Sequence, residues 1–230
     1  MTLRRFALPL AILLSGLWPA APAWAARPLV SDSADVLEPG ACEIEAALAR
    51  VSVRAQPSLR ASSAIFGCGA GFSTQFALAA SRESGGGSSA RSLVLGGKTT
   101  LLAPADGAAG FGVAYALGSS NASGSWRRED FTLTLVATRA LAKGLLGHAN
   151  LGWQRSSDGG TNTTLWSLGI ESTGDWVWAA DLFGDDRGKP SASFGLGYAL
   201  TPSFAVNLSY AMQLDSARAR QASVGLKISF

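Results

Sequence analysis

Long apolar runs are missing from most of this 230-residue chain. Beyond residue 25 no stretch of eighteen apolar residues occurs, so a transmembrane helix is excluded there. Charge is scarce at 15%, and no Lys/Arg cluster stands behind the basic balance. Residues 1–25 carry two of the 19 basic residues, Arg4 and Arg5, and none of the 16 acidic ones, leaving 17 against 16 beyond them. A nucleic-acid or polyanion partner is therefore not expected. Histidine is almost absent, with His148 alone, and cysteine is limited to Cys42 and Cys68. There is no metal-ligand spacing, no Gly-rich phosphate loop and no nucleophile motif, so no cofactor, metal or catalytic residue is expected.

What is present begins with an export signal. Arg4 and Arg5 precede an apolar core over residues 6–17, and Ala23-Trp24-Ala25 closes it with a small-x-small cleavage pattern. Residues 1–25 read as a signal peptide of Sec type, and the mature chain as residues 26–230.

Apolar residues are plentiful but interleaved. In the last ten residues Ala222, Val224, Leu226, Ile228 and Phe230 take one face, and Gln221, Ser223, Gly225, Lys227 and Ser229 the other. That period of two marks a strand with one apolar and one polar face. The same pattern recurs upstream. Phe204, Val206, Leu208, Tyr210 and Met212 oppose Asn207 and its neighbours; Trp176, Trp178 and Leu182 oppose Asp181; Trp166, Leu168 and Ile170 oppose Glu171; Leu151 and Trp153 oppose His148 and Asn150; Leu93, Leu95 and Leu101 oppose Lys98. Twelve such segments fit between residues 42 and 230, with ten or fourteen if one is wrongly split. The first two are the least regular, near 42–54, where Ile44 and Leu48 oppose Glu43 and Glu45, and near 62–71.

A water-soluble sandwich would bury its apolar face in a packed core. Here the polar face is Gly, Ala, Ser, Thr and Asn, too small to fill one. The apolar face must then look outward, into lipid, and the sheet must close, because hydrocarbon offers no partner to bare strand edges. The fold class is all-β, a closed antiparallel transmembrane β-barrel. Connections alternate between tight links, such as 71–73 and 201–203, and longer polar ones, such as 55–61, 84–90 and 119–125. This is the asymmetry of periplasmic turns and outer loops. A C-terminal aromatic on the last strand resembles the segment by which bacterial outer-membrane proteins are recognised for insertion, and marks Phe230 as the assembly signal. Outer-membrane lipid and the outer-membrane assembly machinery are the expected partners, with small solutes as possible cargo.

The candidate lumen residues follow from the polar phase: Glu43, Glu45, Lys98, His148, Asn150, Glu171, Asp181, Asn207 and Lys227. Such residues are either paired wall to wall or line a watery path, and their mixed signs set no firm ion preference. A lipid-active enzyme would need His148 and a serine meeting on the lipid face; the phase of His148 is inward. Cys42 and Cys68 fall near the same ends of the first two strands. Their pairing needs a turn centred near Ala55, beside Gln56-Pro57; the alternative is two free thiols.

Ahead of the first strand, Arg27-Pro28-Leu29-Val30-Ser31-Asp32-Ser33-Ala34-Asp35-Val36-Leu37 resembles the R-P-L-x-x-D-x-A-x-V-L opening of a family of outer-membrane transporters associated with the MetA pathway of phenol degradation. The likeness continues through Cys42-Glu43-Ile44-Glu45 and Phe66-Gly67-Cys68-Gly69. The resemblance implies an outer-membrane transport barrel and says little about substrate. Residues 26–41 are expected either to plug the lumen or to lie in the periplasm. The function implied is a passive channel or transporter for small solutes; the alternative is a non-conducting structural or surface-interaction barrel.

Overall fold

Strict alternation needs a strand partner on both sides, and the chain supplies one to every strand by closing on itself. The computed structural model describes residues 29–104, 108–122, 124–157, 159–215 and 219–230. The export signal expected at 1–25 lies outside the described residues, as do residues 26–28. Twelve strands occur among the described residues: β1 (Cys42–Ser52), β2 (Leu59–Gly71), β3 (Thr74–Gly85), β4 (Ser88–Leu102), β5 (Gly110–Asn121), β6 (Arg127–Ala142), β7 (Leu145–Ser156), β8 (Asn162–Ser172), β9 (Trp176–Asp185), β10 (Ser191–Thr201), β11 (Phe204–Gln213) and β12 (Arg220–Ser229). Each pairs antiparallel with its sequence neighbours, and β1 pairs with β12 from Glu43↔Ser229 to Ser52↔Arg220 to shut the barrel. At that seam the Cys42 N–H donates to the Phe230 carbonyl at 2.8 Å and the Phe230 N–H to Cys42 at 2.9 Å. Both ends of the barrel domain therefore meet at one rim, called here the terminal rim.

The turns follow local chemistry. Between β2 and β3, Gly71, Phe72 and Ser73 all take positive φ, reversing the chain in the fewest residues. Ala55, at φ 60°, bends the β1–β2 link where a turn was expected. The 84–90 link differs from its reading as a polar loop. Pairing continues to Gly85↔Ser88, leaving Gly86-Gly87 as the whole connection. Both glycines have positive φ, the geometry of a hairpin turn matched to strand twist. At the terminal rim, by contrast, the β4–β5 link spans 103–109, longer than read. The length asymmetry between the rims is thus weaker than the sequence suggested.

Burial is inverted relative to a soluble protein. Leu48, Leu95, Leu135 and Leu208 stand exposed on the outside, while Lys98 is fully enclosed and Glu43, Glu45, His148 and Asp181 are buried inside. Hydrocarbon around the barrel explains the outer face. Two aromatic pairs mark its borders: Trp176–Tyr198 toward the terminal rim, centroids 4.5 Å apart, and Phe131–Trp153 toward the other, 6.2 Å apart. Such rings settle at headgroup level. Cys42 and Cys68 are register partners and form a disulfide.

Candidate functional site

Residues 29–41 have no alternating pattern, and no ladder serves them beyond one bridge between Pro39 and Gly69. Their backbone polar groups still need partners once enclosed, and side chains of the wall provide them. The segment is rooted at the terminal rim, where the Gly40 N–H donates to the Gly69 carbonyl and the Gly69 N–H to that of Ala41, each at 2.9 Å. Above that root, the Leu37 N–H reaches Gln75 Oε1 at 2.8 Å. The Ala34 N–H donates to Thr138 Oγ1 at 2.8 Å, and its carbonyl accepts from Thr100 Oγ1 at 2.5 Å. Asn150 takes both sides of Asp32: Oδ1 accepts the N–H at 2.7 Å and Nδ2 donates to the carbonyl at 2.9 Å. Asp181 receives the Ser31 and Val30 N–H groups on its two oxygens, at 2.9 and 3.0 Å.

Two positions show how closely the segment lies on the wall. A side chain at Gly69 would run into the backbone of Leu37 and Glu38, so only glycine admits the root. A Cβ on Gly169 would come within 2.7 Å of Ser31 Oγ.

The charged groups form separate clusters. Lys98 Nζ donates to Asp32 Oδ1 and to the Ser33 carbonyl, both at 2.8 Å. Lys227 forms an ion pair with Glu43 and lies 3.7 Å from Glu45, its register partner across the β1–β12 seam. His148 bridges Thr138, with Nδ1 at 3.0 Å from Oγ1, and Glu171, with Nε2 at 3.2 Å from Oε1. A hydroxyl, an imidazole and a carboxylate in a row resemble a nucleophilic chain, but Thr138 Oγ1 is already taken by the Ala34 N–H and covered by the segment. Its geometry is that of a brace. Asp181 also accepts from Ser193 Oγ at 3.1 Å. Asn207 is buried on the inner face.

The family model described as uncharacterised conserved protein UCP029691 matches residues 13–230. The chain belongs to that family. No curated protein matches it in sequence. Among solved structures this UCP029691 barrel is similar to the NanC porin, with a TM-score of 0.60 and 10% identity over 80% of this chain and 98% of that one. It is similar to the COG4313 outer membrane channel from Pseudomonas putida F1, with a TM-score of 0.61 and 10% identity over 85% of this chain and 97% of that one. The toluene transporter TbuX of Ralstonia pickettii gives 0.54 and 11% over 84% and 90%. At such identities the likeness is one of fold: the outer-membrane barrel expected from the resemblance in the opening residues.

The nine candidate residues of the polar phase all lie on the inner side of the barrel. Lys98, Asn150 and Asp181 are brought together by the segment, and Glu43, Glu45 and Lys227 by the seam. His148 and Glu171 meet each other. Gln75, Thr100 and Thr138 also hold the segment and were not singled out in the sequence. Their signal was the inward phase of a hydrogen-bonding side chain on β3, β4 and β6. Asp32 stood in the opening motif, but its seat on the wall was not legible because nothing periodic surrounds it.

Proposed function

We propose that this chain is a passive channel for small solutes in the Gram-negative outer membrane, and that residues 29–41 restrict its lumen. One observation carries the reading: the space inside is occupied by a separable peptide held through side chains, where a sealed barrel would fill it with its own bulky residues. Hydrogen bonds of this kind each contribute ~0.5–1.5 kcal/mol net, and each ordered residue costs ~1–2 kcal/mol of backbone entropy. The printed names of the similar structures, a porin, a channel and a toluene transporter, agree with transport of small molecules. No catalytic role is read into His148, which braces the wall between Thr138 and Glu171.

On the same reading residues 1–25 direct Sec-type export and are removed, and Phe230 presents the last strand to the assembly machinery. Single-channel conductance of the refolded mature protein in a planar bilayer tests the proposal. Stable current steps, larger after removal of residues 26–40, are expected. Silence from both forms would leave a structural or surface-interaction barrel.

A further inference from the structure

At the rim opposite the termini, five neighbouring strands each carry an outward arginine: Arg220 on β12, Arg50 on β1, Arg60 on β2, Arg82 on β3 and Arg91 on β4. All five are exposed and keep the phase of the lipid-facing residues of their strands. Leu48 lies two residues below Arg50, and Leu93 two below Arg91, so the guanidinium groups stand just beyond the apolar band. Strands are about 4.8 Å apart, which makes this a belt roughly 20 Å long.

Three features separate the belt from arginines scattered along an interface. Like charges face each other in it: Arg50↔Arg60 and Arg82↔Arg91 are register partners. Such pairs destabilise a sheet, and an anion held between them removes the cost. Next, the belt has no anion of its own. The five strands carry three acids, Glu43, Glu45 and Glu83, all in the inner phase, and the links 53–58 and 86–87 carry none. Arg50 Nη2 donates to Ser58 Oγ at 3.2 Å, but no carboxylate pairs with any of the five among the described residues. Finally, the belt has no counterpart at the terminal rim, where the same strands turn Ile44, Phe66, Phe76 and Ile228 outward and no cation. Interfacial anchoring alone is needed at both rims. A belt at one rim answers a leaflet whose headgroups differ from those of the other.

Arginine's planar fork takes phosphate oxygens two at a time. The β3–β4 connection is only Gly86-Gly87, so no loop side chain covers Arg82 and Arg91. The two facing pairs stand two strand spacings apart, about 10 Å, which suits a headgroup bearing two phosphates. Resting on the outer-membrane placement of the barrel, we propose that this belt binds the phosphorylated glycolipid of the outer leaflet. The Arg50/Arg60 pair and the Arg82/Arg91 pair each clamp one phosphate. The site lies on the outside of the barrel and needs no open lumen.

The full mature chain, refolded in mild detergent, is titrated with diphosphoryl lipid A, with the same glycolipid stripped of both phosphates, and with phosphatidylglycerol. Native mass spectrometry reads bound lipid, and heat-dependent gel mobility reads folding. Each arginine beside an anionic headgroup contributes about fivefold in affinity. Arg82→Gln combined with Arg91→Gln should therefore weaken binding of the diphosphoryl form on the order of 25-fold. Arg50→Gln combined with Arg60→Gln should do the same, and stands in if the first pair fails to fold. Arg139→Gln, outward on β6 toward the terminal rim, should change nothing. Equal binding of the stripped and phosphorylated glycolipids, unchanged affinity in the paired variants, or an equal loss in Arg139→Gln would overturn the belt. Phosphatidylglycerol held as tightly as the glycolipid would reveal a generic anionic-lipid surface only, and would overturn it too. Bilayer current separates this proposal from the channel. Phosphate-dependent binding without current would support the belt and remove the channel; current without such binding would do the reverse.

Discussion

Replacing Lys98 by Met should release the internal segment while leaving the barrel folded. The Lys98 and Asp32 side chains are 0% and 14% exposed, so the pair sits well inside the dry regime. Exposed pairs couple by ~0–1 kcal/mol, and breaking a fully buried one costs about 3–5 kcal/mol; a coupling of roughly 2–3 kcal/mol fits between them. Among the described residues the pair is the one charged tie between the segment and the wall, so its loss should loosen the docking. Hydrogen exchange of the Val30, Ser31, Asp32, Ala34 and Leu37 amides, each bonded to a wall side chain, reads the docking directly. At 1.4 kcal/mol per tenfold, exchange should quicken roughly 30–150-fold in Lys98→Met and by a similar factor in Asp32→Asn. The double variant should exchange about as fast as Lys98→Met alone, because with the ammonium gone the Asp32 carboxylate has lost its partner in the pair. Strictly additive effects, or unchanged exchange in Lys98→Met, would refute the assignment of the pair as the main tie.

Three further outcomes are expected. Gly69→Val should push the root of the segment off the wall, quickening exchange at Leu37 with the strand amides unchanged; an unaltered Leu37 amide would contradict the close approach seen at that glycine. Replacing Cys42 and Cys68 together by Ser opens a link between residues 26 apart in sequence, and should lower stability against urea by about 3–4 kcal/mol on the chain-entropy estimate. A midpoint that does not move would show that the ladder around the two residues already supplies the constraint. Single labelled cysteines at Val206 and Asn207 should differ, with a lipid-phase quencher reaching the first and not the second; the reverse would invert the faces of β11.

Alternation made the barrel legible because a two-residue period is a local property. Leu95 and Lys98 are assigned to opposite faces by parity alone, and the even strand number then brings Cys42 beside Phe230. Depth and register are not local. That Glu45 opposes Lys227, or that Thr138 stands beside His148, depends on the offset of one strand against the next, and that offset depends on turns such as Gly86-Gly87. The serines flanking these glycines read as a loop, yet their backbones continue the ladder. The internal segment was the least legible part. Asp32 belongs to no periodic stretch, and its partners Lys98, Asn150 and Asp181 come from strands whose polar faces named them as inward without showing what they would hold. A composition of small inward residues already implied empty space. That the chain would fill it with its own leading residues is a tertiary choice, set by where Gly69 lets the backbone through.

The wall charges give a prediction where mixed signs alone gave none. With residues 26–40 removed, the candidate lining keeps four carboxylates, Glu43, Glu45, Glu171 and Asp181, against the ammonium groups of Lys98 and Lys227. Whether His148 is neutral or charged, the balance stays negative. Lys227 is committed to the seam carboxylates, so its charge is local. Screening over roughly 8–10 Å at physiological ionic strength does not erase an excess held inside a narrow barrel, where low-dielectric walls focus the field. The truncated protein should therefore pass cations in preference to anions in a potassium chloride gradient. Lys98→Gln should deepen that preference, since it removes a positive charge from the inner wall. A reversal potential of anion sign in the truncated protein would mean that Lys98 governs the whole lumen rather than a single seat within it.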